Sequence, residues 1–207
     1  MKLLTSPASP FARKVRIVLH ETGQADEVTE IAAATDPFGD PVDVIHANPL
    51  GKIPALVRDD GPALYDSRVI TRYLDARAGG RLYPEARIWE VLTLEATADG
   101  IMDAALAMVL ELRLRAEGER SPRWIEGQWR KVERGLDAIE DRWISHLGGQ
   151  LDMGQIAVAC ALGYLDLRHG TRDWRAGRPQ LSAWADRFAA RDSMIATAPP
   201  AGCRFRS

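Results

Sequence analysis

The sequence predicts a mixed α/β domain followed by an all-helical one, and three observations predict it. Residues up to about 79 alternate short apolar runs with helix signals, in the order β-α-β-α-β-β-α. From residue 86 onward strand signals fade and helical periodicity takes over. Between the two lies "GGRLYPEAR", a Gly- and Pro-containing stretch of the kind that joins domains. The expected organisation is residues 1–79, a linker at 80–85, and helices over 86–207.

The first strand is "MKLLTS", an apolar run stopped by Pro7. The next helix has strong punctuation. Ser9 suits the N-cap, Pro10 the first helical position and Gly23 the stop. Phe11, Val15, Val18 and Leu19 follow i, i+4, i+7, i+8 and give one apolar face. Arg13, Lys14 and Arg16 crowd the first two turns, where a cation opposes the helix dipole at a cost of ~0.3–1 kcal/mol each. Either they form a solvated face, or this end of the molecule expects an anion.

"EVTEIA" (27–32) reads as the second strand and "PVDVIHANP" as a short helix ending before Pro49. "PALVR" and "PALY" read as two strands joined by the turn "DDGP". "DSRVITRYLDARAG" is a helix capped by Asp66 or Ser67 and ending near Gly79. The β-α-β connections need crossovers, so a mixed sheet carrying helices is expected.

The second half divides into four helical stretches. "RIWEVLTLEATADGIMDAALAMVLELRLRAE" is long. "PRWIEGQWRKVERGLDAIEDRWISHL" carries Trp129, Val132, Leu136, Ile139 and Trp143 at helical spacing. "MGQIAVACALGYLDLRHG" is apolar nearly throughout and reads as the central buried helix, and "PQLSAWADRFAARDSM" as a last amphipathic one.

Composition narrows the function classes. A chain of 207 residues with 46% hydrophobic content can bury a real core. A net charge of −2 gives no reason to expect a nucleic acid or an anionic membrane as partner. Cys160 and Cys203 lack metal-ligand or C-x-x-C spacing, so no metal is expected and a reducing cytoplasm suits them. Cys160 reads as buried and Cys203, in the basic tail "AGCRFRS", as exposed. Charges throughout residues 1–25 argue against a signal peptide, and no apolar run approaches the ~20 residues that span a bilayer.

Three places carry candidate chemistry, each beside a plainer reading. Ser6-Pro7 and Ser9-Pro10 are turn or helix-start signals, and either serine is also an available hydroxyl. Ile53-Pro54, in "NPLGKIPAL", is either a strand-edge proline or a cis-proline that turns the Ile53 main chain outward to pair with an extended peptide. Asp66-Ser67 needs only one residue for capping. The remaining groups suit a zwitterionic amino-acid head: the helix N-terminus its carboxylate, Asp66 its ammonium.

"SPASPFARKVRIVLHETG", "NPLGKIPAL" and "LYDSRVITRYLD", in this order and spacing, resemble a soluble glutathione S-transferase. The likeness continues through "IAVACALGYLDLR" and "LSAWADRFAARDSMIATAPP", which resemble the helical domain of bacterial members, so it covers nearly the whole chain. The resemblance implies a thioredoxin-like N-terminal domain, an all-α C-terminal domain, a homodimer, and glutathione as co-substrate.

Residue by residue, it implies that Ser9, before "PF", is the catalytic position, with Ser6 one turn too early. Phe11 flanks it. Ile53 is the backbone clamp for the glutathione cysteine, followed by cis-Pro54. Asp66 and Ser67 match the acidic-serine pair that holds the γ-glutamyl group, although the family more often has Glu at the first. Lys52 is placed to pair with the glycyl carboxylate. At "LDMGQIAV" the family's Thr or Ser with a later Asp is replaced by Asp152 and Gln155, which can still form a reciprocal capping box.

A serine here implies conjugation of the glutathione thiolate to small apolar electrophiles. A cysteine would favour disulfide exchange. Nucleophilic serine needs an adjacent base, and none of His20, His46, His146 and His169 stands in a triad context. Met102, Ala105, Leu106 and Val109 on the long helix are the expected wall of an electrophile pocket, or simply interhelical core. The alternatives are a non-catalytic module that binds glutathione or a protein, and a specialised glutathione-dependent lyase, isomerase or dehalogenase.

Overall fold

The computed structural model describes residues 1–200 and Cys203. It divides into two compact units. The first comprises Met1–Ala86 together with Asp192–Cys203, and the second Arg87–Arg191.

In the first unit, strand β1 (Lys2–Thr5) leads through residues 6–9 into helix α1 (Pro10–Glu21). Then come β2 (Thr29–Ala32), α2 (Val42–Ala47), β3 (Ala55–Val57) and α3 (Ser67–Arg77). The sheet order is β2-β1-β3. β1 pairs parallel with β2, Leu4 opposite Ile31, and antiparallel with β3, Leu4 opposite Ala55. This is the mixed sheet with helices that the crossovers require. The second strand of the expected hairpin shrinks to one bridge, in which Leu56 and Leu64 exchange N–H···O bonds of 2.9 Å. Pro62 has no N–H to give to a ladder, and the N-cap of α3, Asp66, follows four residues later. Leu4, Ala47 and Ala55 form a small core packed by Ala33, Ile53, Val57 and Ala63, while α1 packs on α3.

The second unit contains α4 (Ile88–Leu114), α5 (Pro122–Arg142), α6 (Ile144–Leu147), α7 (Met153–Arg168) and α8 (Pro179–Ala189). α7 is buried over most of its length and packs chiefly on α4, which also packs on α5. Cys160 lies within it, buried. Gly154 marks a tight contact: a Cβ there would sit 3.0 Å from Leu94 Cδ2, 3.1 Å from Leu94 Cβ and 3.2 Å from Asp152 Oδ1. Overpacking costs about 1–3 kcal/mol, and the helix propensity gained over glycine returns about 1. Leu94 Cβ is tied to its backbone and cannot swing aside. Gly154→Ala should therefore lower stability by about 1 kcal/mol, read as a reduced urea midpoint.

His169 closes α7. It is buried, and its Nε2–H donates to Ala105 O at 3.0 Å. Burial pushes its pKa below the ordinary value; the Ala105 bond opposes this, and the charges of Arg172 and Arg168 reinforce it. A histidine held neutral by the fold contributes stability above its unfolded pKa of ~6.5, which is lost as pH falls through the folded value. Unfolding midpoints measured across pH 7 to 5 should fall in the wild type and fall less in His169→Gln.

The last helix departs from the sequence reading, which ran it together with α8 in the helical half. The chain breaks at Ala190–Arg191, and α9 (Asp192–Ala196) packs on α1 of the first unit. Arg13 and Arg16 supply the reason, described below. Cys203 is half-buried, and the rest of the basic tail lies outside the described residues.

Candidate active site

Three chain segments reach the same end of the small sheet. Ser9 follows the C-terminal end of β1. Because Leu4 faces Ala55, the Ile53-Pro54 segment enters β3 at that same end. The Leu56–Leu64 bridge then brings the chain back, so Asp66 and Ser67 begin α3 there too.

Ser9 is the N-cap of α1. Its backbone is extended, its Oγ accepts the Ala12 N–H at 3.2 Å, and Pro10 fills the first helical turn. Its own N–H donates to Ser6 O at 3.0 Å, which closes the turn out of β1. The cap uses an acceptor lone pair of the hydroxyl and leaves its proton to be donated. Phe11, next on α1, is half-buried.

The cations of α1 have other work. Arg13 donates to Met194 O at 3.0 Å and to Thr197 Oγ1 at 3.4 Å. Arg16 donates to Thr197 O at 3.2 Å and to Glu30 at 2.8 Å. Lys14 is fully buried. The anion that the sequence pattern suggested for this end is therefore not met by the two arginines, which hold protein carbonyls and a carboxylate.

The 48–54 loop is shaped by Asn48, a residue the sequence reading passed over. It is buried, donates through Nδ2 to Lys52 O at 2.8 Å and accepts Leu50 N–H at 3.0 Å through Oδ1. Its carbonyl accepts Gly51 N–H at 2.9 Å, with Gly51 at φ +64°. Asn before Pro-x-Gly was the available signal, since Asn side chains bond their own backbone two residues on. The Lys52 side chain is exposed, and the Ile53–Pro54 and Tyr65–Asp66 bonds are cis. The main-chain N–H and C=O of Ile53 make no hydrogen bond among the described residues.

At α3, Asp66 rather than Ser67 is the N-cap. Its Oδ1 accepts Arg68 N–H at 3.0 Å, and its Oδ2 takes the Arg68 guanidinium at 2.9 Å. The short carboxylate thus turns onto its own helix. Burial alone would raise its pKa. The Arg68 bonds and the charges of Arg68 and Lys14 outweigh that and hold it below the usual carboxylate range. Ser67 is buried, and its carbonyl accepts Thr71 Oγ1 at 2.9 Å, which in turn meets Tyr83 OH at 2.8 Å.

Of the four residues read as a pocket wall, Met102, Ala105 and Val109 are buried and Leu106 alone keeps appreciable surface. Among the described residues there is no group of three or more His, Cys, Asp and Glu able to hold a metal ion. Nor is any described helix long and apolar enough to cross a membrane.

Known proteins resemble the chain over its whole length. Family models match at residues 8–77, as a glutathione S-transferase N-terminal domain, and at 122–187, as the C-terminal domain. The uncharacterized GST-like protein YibF of Escherichia coli (strain K12) is 34% identical over 206 residues, 97% of this chain and 99% of the relative. A glutathione transferase family member from Pseudomonas fluorescens Pf-5, solved with bound glutathione, superposes with a TM-score of 0.93 at 46% identity, over 96% of this chain and 98% of that one. A glutathione S-transferase from Methylobacillus flagellatus KT with bound GSH gives 0.84 at 40% identity, over 96% and 99%. With this order of elements, this two-part match and these relatives, the chain belongs to the glutathione S-transferase family.

Proposed function

We propose that this chain is a glutathione transferase that stabilises the glutathione thiolate at Ser9 and adds it to small apolar electrophiles. The observation that carries the reading is the Ser9 cap, where a hydroxyl with a proton to donate meets the N-terminus of α1. Relatives solved with bound glutathione support the choice of co-substrate.

The thiol has an unperturbed pKa of ~8.5, so at neutral pH only a few per cent is thiolate. Lowering it by about 2 units needs about 2.7 kcal/mol of preferential thiolate stabilisation. A Ser9 O–H···S⁻ bond supplies ~1.5–3 kcal/mol. The start of α1 adds ~0.3–1. The thiol proton leaves to solvent, and the thiolate forms a carbon–sulfur bond with the electrophile as its leaving group departs. Ser9 donates throughout and forms no covalent bond.

The rest of the site holds the ligand. Ile53's unpaired main chain receives the cysteinyl residue as an added strand, ahead of Pro54. Ser67 and the first N–H groups of α3 take the γ-glutamyl carboxylate, and Asp66 takes the ammonium once it shares its oxygens with Arg68. Lys52 reaches for the glycyl carboxylate, and Phe11 flanks the sulfur. A cytoplasmic homodimer is the expected setting. The test is ultraviolet titration of the thiolate in the glutathione complex, beside turnover of a generic aromatic electrophile. Thiol ionisation near neutrality together with turnover is expected. A thiol that titrates as in free glutathione, with no turnover, would sink the reading.

A further inference from the structure

We propose that α9 is a strap that positions Ser9, with Arg13 and Arg16 as the positioning residues that fasten it. The proposal rests on the reading of Ser9 as thiolate donor.

Arg13 links the Ser9 cap to α9. Its backbone N–H donates to Ser9 O at 3.0 Å, so it makes a main-chain bond to the cap residue itself. Its side chain, largely buried, donates to Met194 O and Thr197 Oγ1. One turn along, Arg16 donates to Thr197 O. At the far end of α1, Ser193 Oγ donates to Glu21 at 2.5 Å. α9 therefore lies antiparallel to α1 and is fastened at both ends, over roughly 12 Å of helix at 1.5 Å per residue.

The charges make sense in this arrangement. Cations near the start of α1 run against that helix's dipole. They suit the last carbonyls of α9, which have no partner within a helix that ends there. The cations that the sequence allowed as either a solvated face or an anion site supply a C-terminal cap to another helix. Its consequence reaches the chemistry because a donor to a thiolate must be held to about 0.5 Å to keep its effect. Ser9 sits on a turn held by its N–H bond to Ser6 O, its cap bond to Ala12 N–H and the Arg13 N–H at its carbonyl, and the Arg13 side chain ties that first turn to a second helix.

The strap can be tested in the full chain with Thr197→Val, which removes one Arg13 acceptor at constant shape, and with Arg13→Lys. Lysine keeps the charge but not the fork that reaches two acceptors. Two readouts are needed: amide hydrogen exchange at Ala12 and Arg13, and the pH midpoint of the bound glutathione thiol. Both variants should exchange faster at these amides and raise the midpoint by up to about one unit, a tenfold change in the ionisation ratio. Wild-type exchange and midpoint in Arg13→Lys would overturn the strap and leave Arg13 acting by charge alone. Faster exchange with an unmoved midpoint would overturn the positioning role. If the wild type itself never ionises the thiol, the transferase reading fails, and the exchange rates still decide whether α9 secures the cap. Should Arg13→Lys fail to fold, Thr197→Val carries both readouts, and an unchanged result there overturns the proposal.

Discussion

Ser9→Ala is expected to raise the pH midpoint of the bound glutathione thiol by about one to two units, the equivalent of the ~1.5–3 kcal/mol that a hydrogen bond to a charged group contributes. Turnover at neutral pH should fall with the thiolate fraction, roughly three- to twenty-five-fold from a wild-type midpoint of ~6.5. The same substitution removes the Ala12 cap bond. Stability should then drop by ~0.5–2 kcal/mol, so alanine alone mixes two effects. Ser9→Gly separates them. Glycine replaces serine at an N-cap for only a few tenths of a kcal/mol, yet it has no hydroxyl to give a thiolate. The thiol midpoint should shift in Ser9→Gly as far as in Ser9→Ala, while the urea midpoint stays near wild type. A glycine variant with wild-type thiol titration and turnover would reduce Ser9 to a cap.

That Ser9 caps α1 was legible because helix starts are written locally. Ser, Pro and a distant Gly punctuate α1 within fifteen residues, and the apolar spacing does the rest. Asp66 was legible as a capping acid for the same reason, but not its turn onto Arg68, since a side chain's choice among partners depends on three-dimensional neighbours. The α9 contacts had no local signal. Arg13 meets Met194 across 181 residues, and nothing around either marks the other. Periodicity alone ran α8 and α9 together because Ala189, Ala190 and Met194 keep an apolar rhythm across a break that only tertiary packing imposes. The hairpin failed for the opposite reason. "PALY" has strand composition but too few residues, with Pro62 at its start, to form more than a bridge.

The largest stability effect is expected at Asp152, the N-cap of α7. It is fully buried, its Oδ1 accepts Gln155 N–H at 3.2 Å, and His146 Nε2 lies 2.8 Å from its Oδ2. Arg87 stands 3.7 Å from the same oxygen. The sequence suggested a reciprocal box in which Gln155 returns a bond to the cap N–H. Instead the Gln155 amide donates to Gln150 O at 2.8 Å, and more weakly to His146 O and Gly149 O. Gln155 thus ties the loop before α7, and Asp152 ties that loop to the helix. Asp152→Ala removes a cap worth ~0.5–2 kcal/mol and strands His146, where an unpaired buried polar group costs ~1–3. The sum, about 1.5–5 kcal/mol, is a large part of the ~5–15 kcal/mol that holds a domain folded. Thermal unfolding should begin on the order of 10 °C lower. Asp152→Asn keeps an Oδ1 to accept Gln155 N–H and gives up only the charge facing His146 and Arg87. If the cap dominates, asparagine should recover most of the loss. If the pairing with His146 dominates, asparagine should unfold almost as early as alanine, and a wild-type melt in Asp152→Ala would show that α7 needs neither. Because α7 packs along α4, loosening its first turn loosens the contact around Gly154 and Leu94 as well. Asp152→Ala and Gly154→Ala should therefore combine non-additively, as neighbouring substitutions that share a partner do.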